Sequence, residues 1–373
     1  MSAPRNCRRR ENTRIRDLVT PANPRRSAAG RSRRLIASVV AAGLGLAALV
    51  LWDAAPALAA DSAVVVMYHR FNESTYPSTN TTLDQFEAHL AELRRDKYHV
   101  LPVPEILAAI REDRELPDRT IGITIDDAFL SVYKEAWPRL RAAGLPFTLF
   151  VATDAIDAGY SDYMSWDQIR ELRDAGVVIG SQTASHLHMA ANTAARNRAD
   201  LERSNERFAA ALGAKPDLIA YPFGEASNEV QTIAREAGFI MAFGQHSGVI
   251  HATADAFYLP RFALNEAFGD IDRFRLVINA LPIPFTDLTP ANPLLSANPP
   301  PFGFTIRSPG LDLRGLACYA VGQGKVQADR LGPRVEVRLS QKFEPGRGRI
   351  NCTAPTAEGR WRWLGMQYYV PGG

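Results

Sequence analysis

Cysteine is scarce in this chain: its 373 residues hold three, Cys7, Cys318 and Cys352, too few for a disulfide-dense scaffold. No internal repeat stands out, which argues against solenoid and propeller architectures. Basic charge is also lacking where a nucleic-acid binder would need it. Residues 1–60 carry eleven Arg and three acidic residues, whereas the remainder carries 32 basic and 37 acidic residues. Without that leader the protein is mildly acidic, and nucleic-acid binding is excluded as a function class. What remains is ordinary for a globular protein, 46% hydrophobic and 22% charged, at a length that suggests two or three domains.

The basic leader has the make-up of a secretion signal. Its Arg-rich segment ends in RSRR, an 18-residue apolar run follows at 35–52, and APALAAD then offers small residues at Ala57 and Ala59. Cleavage near Ala59 or Ala60 and export to the periplasm, cell envelope or exterior are expected. An uncleaved membrane anchor is the competing reading, because a run of that length just spans a bilayer. SRRLIA also loosely resembles a twin-arginine signal. Cys318 and Cys352 form an even pair that would meet an oxidising compartment, so a disulfide between them is expected.

Beyond the leader, strand and helix patterns alternate. AVVVMYH (63–69) reads as a buried strand, and LDQFEAHLAELRRDKY places Leu83, Phe86, Leu90 and Leu93 at helical spacing behind the capping segment NTT. Further strand patterns fall at 121–125, 146–151, 177–181, 218–221, 239–243 and 257–262, separated by helical stretches at 131–143, 165–175, 194–212 and 227–237. The alternation predicts an α/β fold, a barrel of about seven parallel strands with its chemistry at their C-terminal ends. Tyr68, His69, Asp126, Asp127, Gln182, Tyr221 and Arg261 all occupy such ends. At 282–301, seven prolines in twenty residues read as a linker, and 302–373 reads as a small β-rich domain stapled by Cys318 and Cys352.

In RTIGITIDDAF a β-branched strand stops at two adjacent carboxylates, Asp126 and Asp127. Such a pair repels itself, so buried and unpartnered it would keep at least one proton, whereas a divalent cation lets both ionise. One acid then binds metal while the other takes a proton. Capping of a helix that starts at Phe129 is the alternative for Asp127. IGSQTASHLHM brings His186 and His188 to the same rim, and His beside an acid pair is the make-up of a zinc-type site. AYPFGE adds Tyr221 and a Pro-Phe-Gly turn, and LPRFALNE adds Arg261, which can grip a carboxylate with two parallel hydrogen bonds.

In this order the segments resemble the polysaccharide deacetylases, the NodB-homology group called carbohydrate esterase family 4. That family carries T-F-D-D, H-[ST]-x-x-H and R-P-P-Y-G at the strand ends of a distorted (β/α) barrel. TIDD, QTASH and YPFG stand in their places here, and VMYHRF, AYPFGE and LPRF look most like the poly-N-acetylglucosamine deacetylase branch. The likeness spans about 63–280, which assigns 61–281 to the deacetylase domain and leaves the C-terminal domain unexplained. It implies an exported hydrolase acting on an acetylated glycan, in contact with a membrane only if the leader stays uncleaved. Asp126 would be the general base, and Asp127 and His186 ligands of a divalent metal, zinc or else cobalt or nickel. Arg261 would orient Asp126, because Ala220 stands where the family has its Arg.

The oxyanion donor would be the Phe223 N–H or the Tyr221 hydroxyl, since Pro222 has no N–H. Tyr68, Tyr221, Phe223 and Gly224 are expected to face substrate, and His69 is preferred over His246 and His251 as the leaving-group acid. Gln182 stands where the family has its first metal-binding His. It could complete a weaker site itself, leave that place to His188, or mark a glycan-binding protein that lost its metal.

Overall fold

The computed structural model describes residues 59–308 and 310–372; Cys7, the apolar run at 35–52 and Ala57 lie outside them. The first strand, Ser62–Tyr68 (β1), is buried along its whole length, as a strand covered on both faces must be. Helix α1 (Leu83–Leu93) starts at a capping box in which Thr82 and Gln85 satisfy each other's backbone N–H, and it buries Phe86, Leu90 and Leu93. Next come α2 (Val103–Arg111), β2 (Thr120–Ile125), α3 (Trp137–Ala143) and β3 (Thr148–Val151). Then α4 (Trp166–Asp174), β4 (Val178–Ser181), α5 (Ala194–Leu212), β5 (Leu218–Ala220), α6 (Asn228–Glu236) and β6 (Met241–Phe243) complete the alternation.

Strands β6-β5-β4-β3-β2-β1 lie side by side in that order, every neighbouring pair parallel. The sheet curls, because one later segment ties both of its edges. Leu259 exchanges backbone hydrogen bonds of 2.9 Å with Ala242 and Gly244 beside β6, and Phe262–Ala263 (β7) pairs with β1. A regular seventh strand at 257–262, as the sequence pattern suggested, is not what forms. Pro260, which has no N–H to donate, sits where the segment crosses from one edge to the other.

After α7 (Ile271–Ile278) the chain builds a second, eight-stranded sheet. It begins at the border of the segment 282–301 read as a linker and takes two strands partly or wholly from it. Leu281–Pro282 (β8) and Phe285–Thr289 (β9) are its two edges, joined by β10 (Phe302–Ile306), β11 (Ala317–Ala320), β12 (Gly324–Leu331), β13 (Arg334–Arg338), β14 (Gly346–Pro355) and β15 (Trp361–Val370). Prolines are tolerated there because edge strands need only half of their backbone donors. Cys318 and Cys352, directly opposite each other on β11 and β14, form a disulfide. Phe302, Phe304, Leu364, Met366 and Tyr368 of this sheet share one apolar core with Ile219, Tyr221, Val230 and Ile233, so the second sheet packs against the β5–α6 side of the first.

Candidate active site

The ends of β1, β2 and β4 and the turn after β5 converge. Asp126 continues the β2 ladder, its N–H donating to the Tyr68 carbonyl at 2.9 Å. Its carboxylate is wholly buried and gripped by Arg261, Nη1 to Oδ1 at 2.7 Å and Nη2 to Oδ2 at 2.9 Å. Arg261 is buried as completely and also donates to the Thr124 hydroxyl and the Gly244 carbonyl, so its fork is fixed in place. His69 Nε2 stands 3.9 Å from Asp126 Oδ2, the oxygen that Arg261 Nη2 also contacts.

Immediately after Asp126 the backbone turns left-handed at Asp127 (φ 73°) and Ala128 (φ 53°), a conformation that non-glycine residues adopt at a cost. The Asp127 N–H is held by Gln182 Oε1 at 3.0 Å. Its side chain caps no helix, because the Leu130 N–H, which such a cap would hold, bonds instead to the Asp162 carbonyl at 2.8 Å. Instead, Asp127 Oδ1 lies 3.3 Å from His186 Nε2 and, buried, has no hydrogen-bond partner of good geometry. Burial pushes the Asp127 carboxyl up, but His186, His69 and Arg70 outweigh it and leave the pKa below the ordinary value. Burial likewise lowers the His186 imidazole, and Asp127, Asp126 and Glu225 more than offset it, so its pKa is raised.

His186 is presented by a loop that α5 organises. Asp200 accepts the Ala184 and Ser185 N–H groups and the Ser185 hydroxyl, while Thr183 Oγ1 accepts the His186 N–H at 3.0 Å. His188, two residues on, is turned away from the acid pair. Its Nδ1 meets Glu225 Oε2 at 2.7 Å and its ring stacks on Phe223, centroids 3.9 Å apart. Glu225, at the end of AYPFGE, is a buried carboxylate at the rim that the sequence reading quoted without giving it a role.

A facing carboxylate and imidazole with an orphaned carboxylate oxygen suit a divalent cation. Gln182 fits less well. Its Oε1 already accepts the Asp127 N–H, which leaves the buried Nε2, a donor without a partner, as the free end of the amide. Among the described residues no three His, Cys, Asp or Glu side chains cluster as a metal site.

The turn after β5 holds Phe223 at φ 58° and Gly224 at φ 68°. Glycine is required there, since a Cβ at Gly224 would lie 2.4 Å from the Gln245 nitrogen. Tyr221 is buried in the core with its hydroxyl unpartnered, and Tyr68 is buried too, but its hydroxyl meets His89 Nδ1 at 3.1 Å. Neither phenol is brought to the rim. His246 and His251 lie apart from the acid pair, beside a cavity of about 510 Å³ that also has Tyr258, Phe285 and Trp363 in its walls. Burial lowers these imidazoles to about 3 and about 4, so both are neutral at pH 7. Asp126, Asp127, His69, Gln182, His186 and Arg261 are thus assembled at one place, with Phe223 and Gly224 in the adjoining turn.

Comparison with known proteins finds likenesses of sequence and of fold. The family model described as polysaccharide deacetylase matches residues 113–242, from the loop before β2 to β6. A Bacillus subtilis protein carrying the name polysaccharide deacetylase YxkH is 24% identical over 210 residues, covering 55% of this chain and 74% of its own. A poly-β-1,6-N-acetyl-D-glucosamine N-deacetylase of Staphylococcus aureus is 20% identical, covering 55% of this chain and 80% of its own. The solved Streptococcus pyogenes deacetylase PplD shares the fold at a TM-score of 0.54 and 18% identity, over 58% of this chain and 98% of its own. Residues 113–242, which hold Asp126, Asp127, Gln182, His186 and the Phe223 turn, are thus similar to the polysaccharide deacetylase family, and the curled sheet that carries them has a fold seen in a solved deacetylase.

Proposed function

We propose that the protein hydrolyses N-acetyl groups of a GlcNAc-containing glycan, converting each acetamide and one water into an amine and acetate. The observation that carries this reading is the buried Asp126–Arg261 fork standing beside the facing pair Asp127 and His186. Asp126 takes a proton from the attacking water, and Arg261 keeps the carboxylate in one orientation. Negative charge growing on the acetyl oxygen faces the Phe223 N–H, which as one of the first amides of its short helical turn has no partner within it. The buried Tyr221 hydroxyl is the poorer candidate for that role. His69 returns a proton to the departing amine.

Asp127 and His186 are the residues that would hold a divalent cation of zinc type, which when bound polarises the acetyl carbonyl and lowers the pKa of water. With Gln182 in place of an imidazole, affinity for such a metal is expected to be weak. The basic, apolar leader at 1–60 supports an exported protein, and the Cys318–Cys352 disulfide is consistent with an oxidising compartment.

One observation favours a second reading, a glycan-binding protein without catalysis: the free end of Gln182 is a donor, and a donor repels a cation. Acetate release from acetylated chitin-type, β-1,6-linked and peptidoglycan oligomers, with metal analysis of the same sample, decides between the two. The hydrolase reading predicts release from at least one panel member and loss of that release on chelation. Glycan binding without acetate would establish the second reading.

A further inference from the structure

The turn that carries the proposed oxyanion donor is held from outside the deacetylase domain. Phe223 keeps φ 58°, a conformation unfavourable for a large side chain, which persists only where surroundings impose it. Pro222 stiffens the N-terminal side of the Phe223 peptide through its ring. On the other side the Phe223 carbonyl accepts a 2.9 Å hydrogen bond from Nε2 of Gln367, a fully buried side chain of β15 in the second sheet.

The amide of Gln367 has only one sensible orientation. Its Oε1 accepts from Arg349 Nε at 2.8 Å, and a guanidinium can only donate, so the NH2 end must face Phe223. The Tyr258 hydroxyl lies 3.0 Å from the Gly224 carbonyl and 2.8 Å from the Gln367 carbonyl, a second link between the turn and β15. Arg347 of β14 reaches to 5.9 Å from the Phe223 ring centre. A fully buried glutamine is costly unless both ends of its amide are used, and both are.

We infer that Gln367 is a positioning residue for deacetylation: it fixes Phe223 in the left-handed conformation that aims its N–H at the reacting carbonyl, which makes the second sheet a working part of the site. The inference rests on the proposed function, but the hold itself can be measured without turnover. Two substitutions in the full chain separate its parts. Gln367→Met removes both hydrogen bonds, whereas Gln367→Glu keeps an acceptor for Arg349 and loses the amide donor to Phe223.

Removing an oxyanion donor outright costs roughly a hundredfold to a thousandfold in kcat, so a misaimed one should cost roughly tenfold to a hundredfold. Both variants are expected to lose that much kcat with KM for the glycan unchanged, and amide exchange in a peptide spanning 219–227 should rise. A purely structural role would lower the melting temperature and leave kcat per folded molecule alone. Should Gln367→Met fail to fold, Gln367→Glu and Tyr258→Phe carry the test. Unchanged exchange in 219–227, or wild-type kcat in the folded variants, would overturn the inference. If the wild type releases no acetate, the deacetylase reading fails, while increased exchange in the variants would still uphold the hold on Phe223.

Discussion

Asp126 and Asp127 share a peptide bond and have opposite surroundings. Arg261 neutralises the first with two hydrogen bonds in a dry setting, whereas the second faces an imidazole and keeps one oxygen unpartnered. The adjacency of the acids was legible because a β-branched strand ran straight into them, and so was Arg261 as their partner. Their division of labour came only from the family resemblance, because the residue types alone do not say which way each side chain leaves a backbone that turns left-handed at Asp127. A buried ion pair predicts a sharp asymmetry under mutation. Arg261→Met should destabilise the protein by about 3–5 kcal/mol in urea unfolding, because it strands the Asp126 charge. The double change Asp126→Asn with Arg261→Met should recover part of that loss. A single variant no less stable than the double would mean that Asp126 does not need its partner.

At the scale of elements, most of the first sheet could be read from pattern. Helix α5 falls at 194–212 as expected, with Thr193 found as its N-cap, and β2 and β4 begin and end within a residue of the expected positions. The failures share a cause. The segment 257–262 looks like a strand yet serves two edges in turn, and the proline-rich stretch looks like a linker yet supplies sheet edges, because edge pairing tolerates the lost donors that rule Pro out of central strands.

Helix α1 carries a consequence of its own. His89 is buried between Tyr68 and the Gly269 carbonyl, which it meets at 2.8 Å through Nε2, so Nε2 holds the proton and Nδ1 accepts from the tyrosine hydroxyl. Burial lowers its pKa to about 4. A depressed imidazole contributes stability that is fully present above its unfolded value near 6.5 and is lost as pH falls towards 4. Thermal unfolding between pH 7 and 4 should show that loss. His89→Gln, which can make the same two hydrogen bonds without titrating, should flatten it, and an unchanged slope would exclude His89 as a source.

For the whole molecule, the second sheet is the part the sequence explained least. Its strands and disulfide were visible in alternating patterns and an even cysteine pair, but its hold on the Phe223 turn was not. That contact joins Gln367 to a residue 144 positions earlier, a separation that no local pattern encodes. The account of the molecule as a hydrolase rests on a division of roles between two neighbouring carboxylates, and one measurement tests it most directly. Acetate release and bound metal should be determined together for the wild type, Asp126→Asn and Asp127→Asn on an acetylated glucosamine oligomer. The account predicts that Asp126→Asn keeps the wild-type metal content and loses activity by a factor of a hundred or more, on the order expected for a general base, while Asp127→Asn loses metal and activity together. Equal metal content and equal residual activity in the two variants would contradict it.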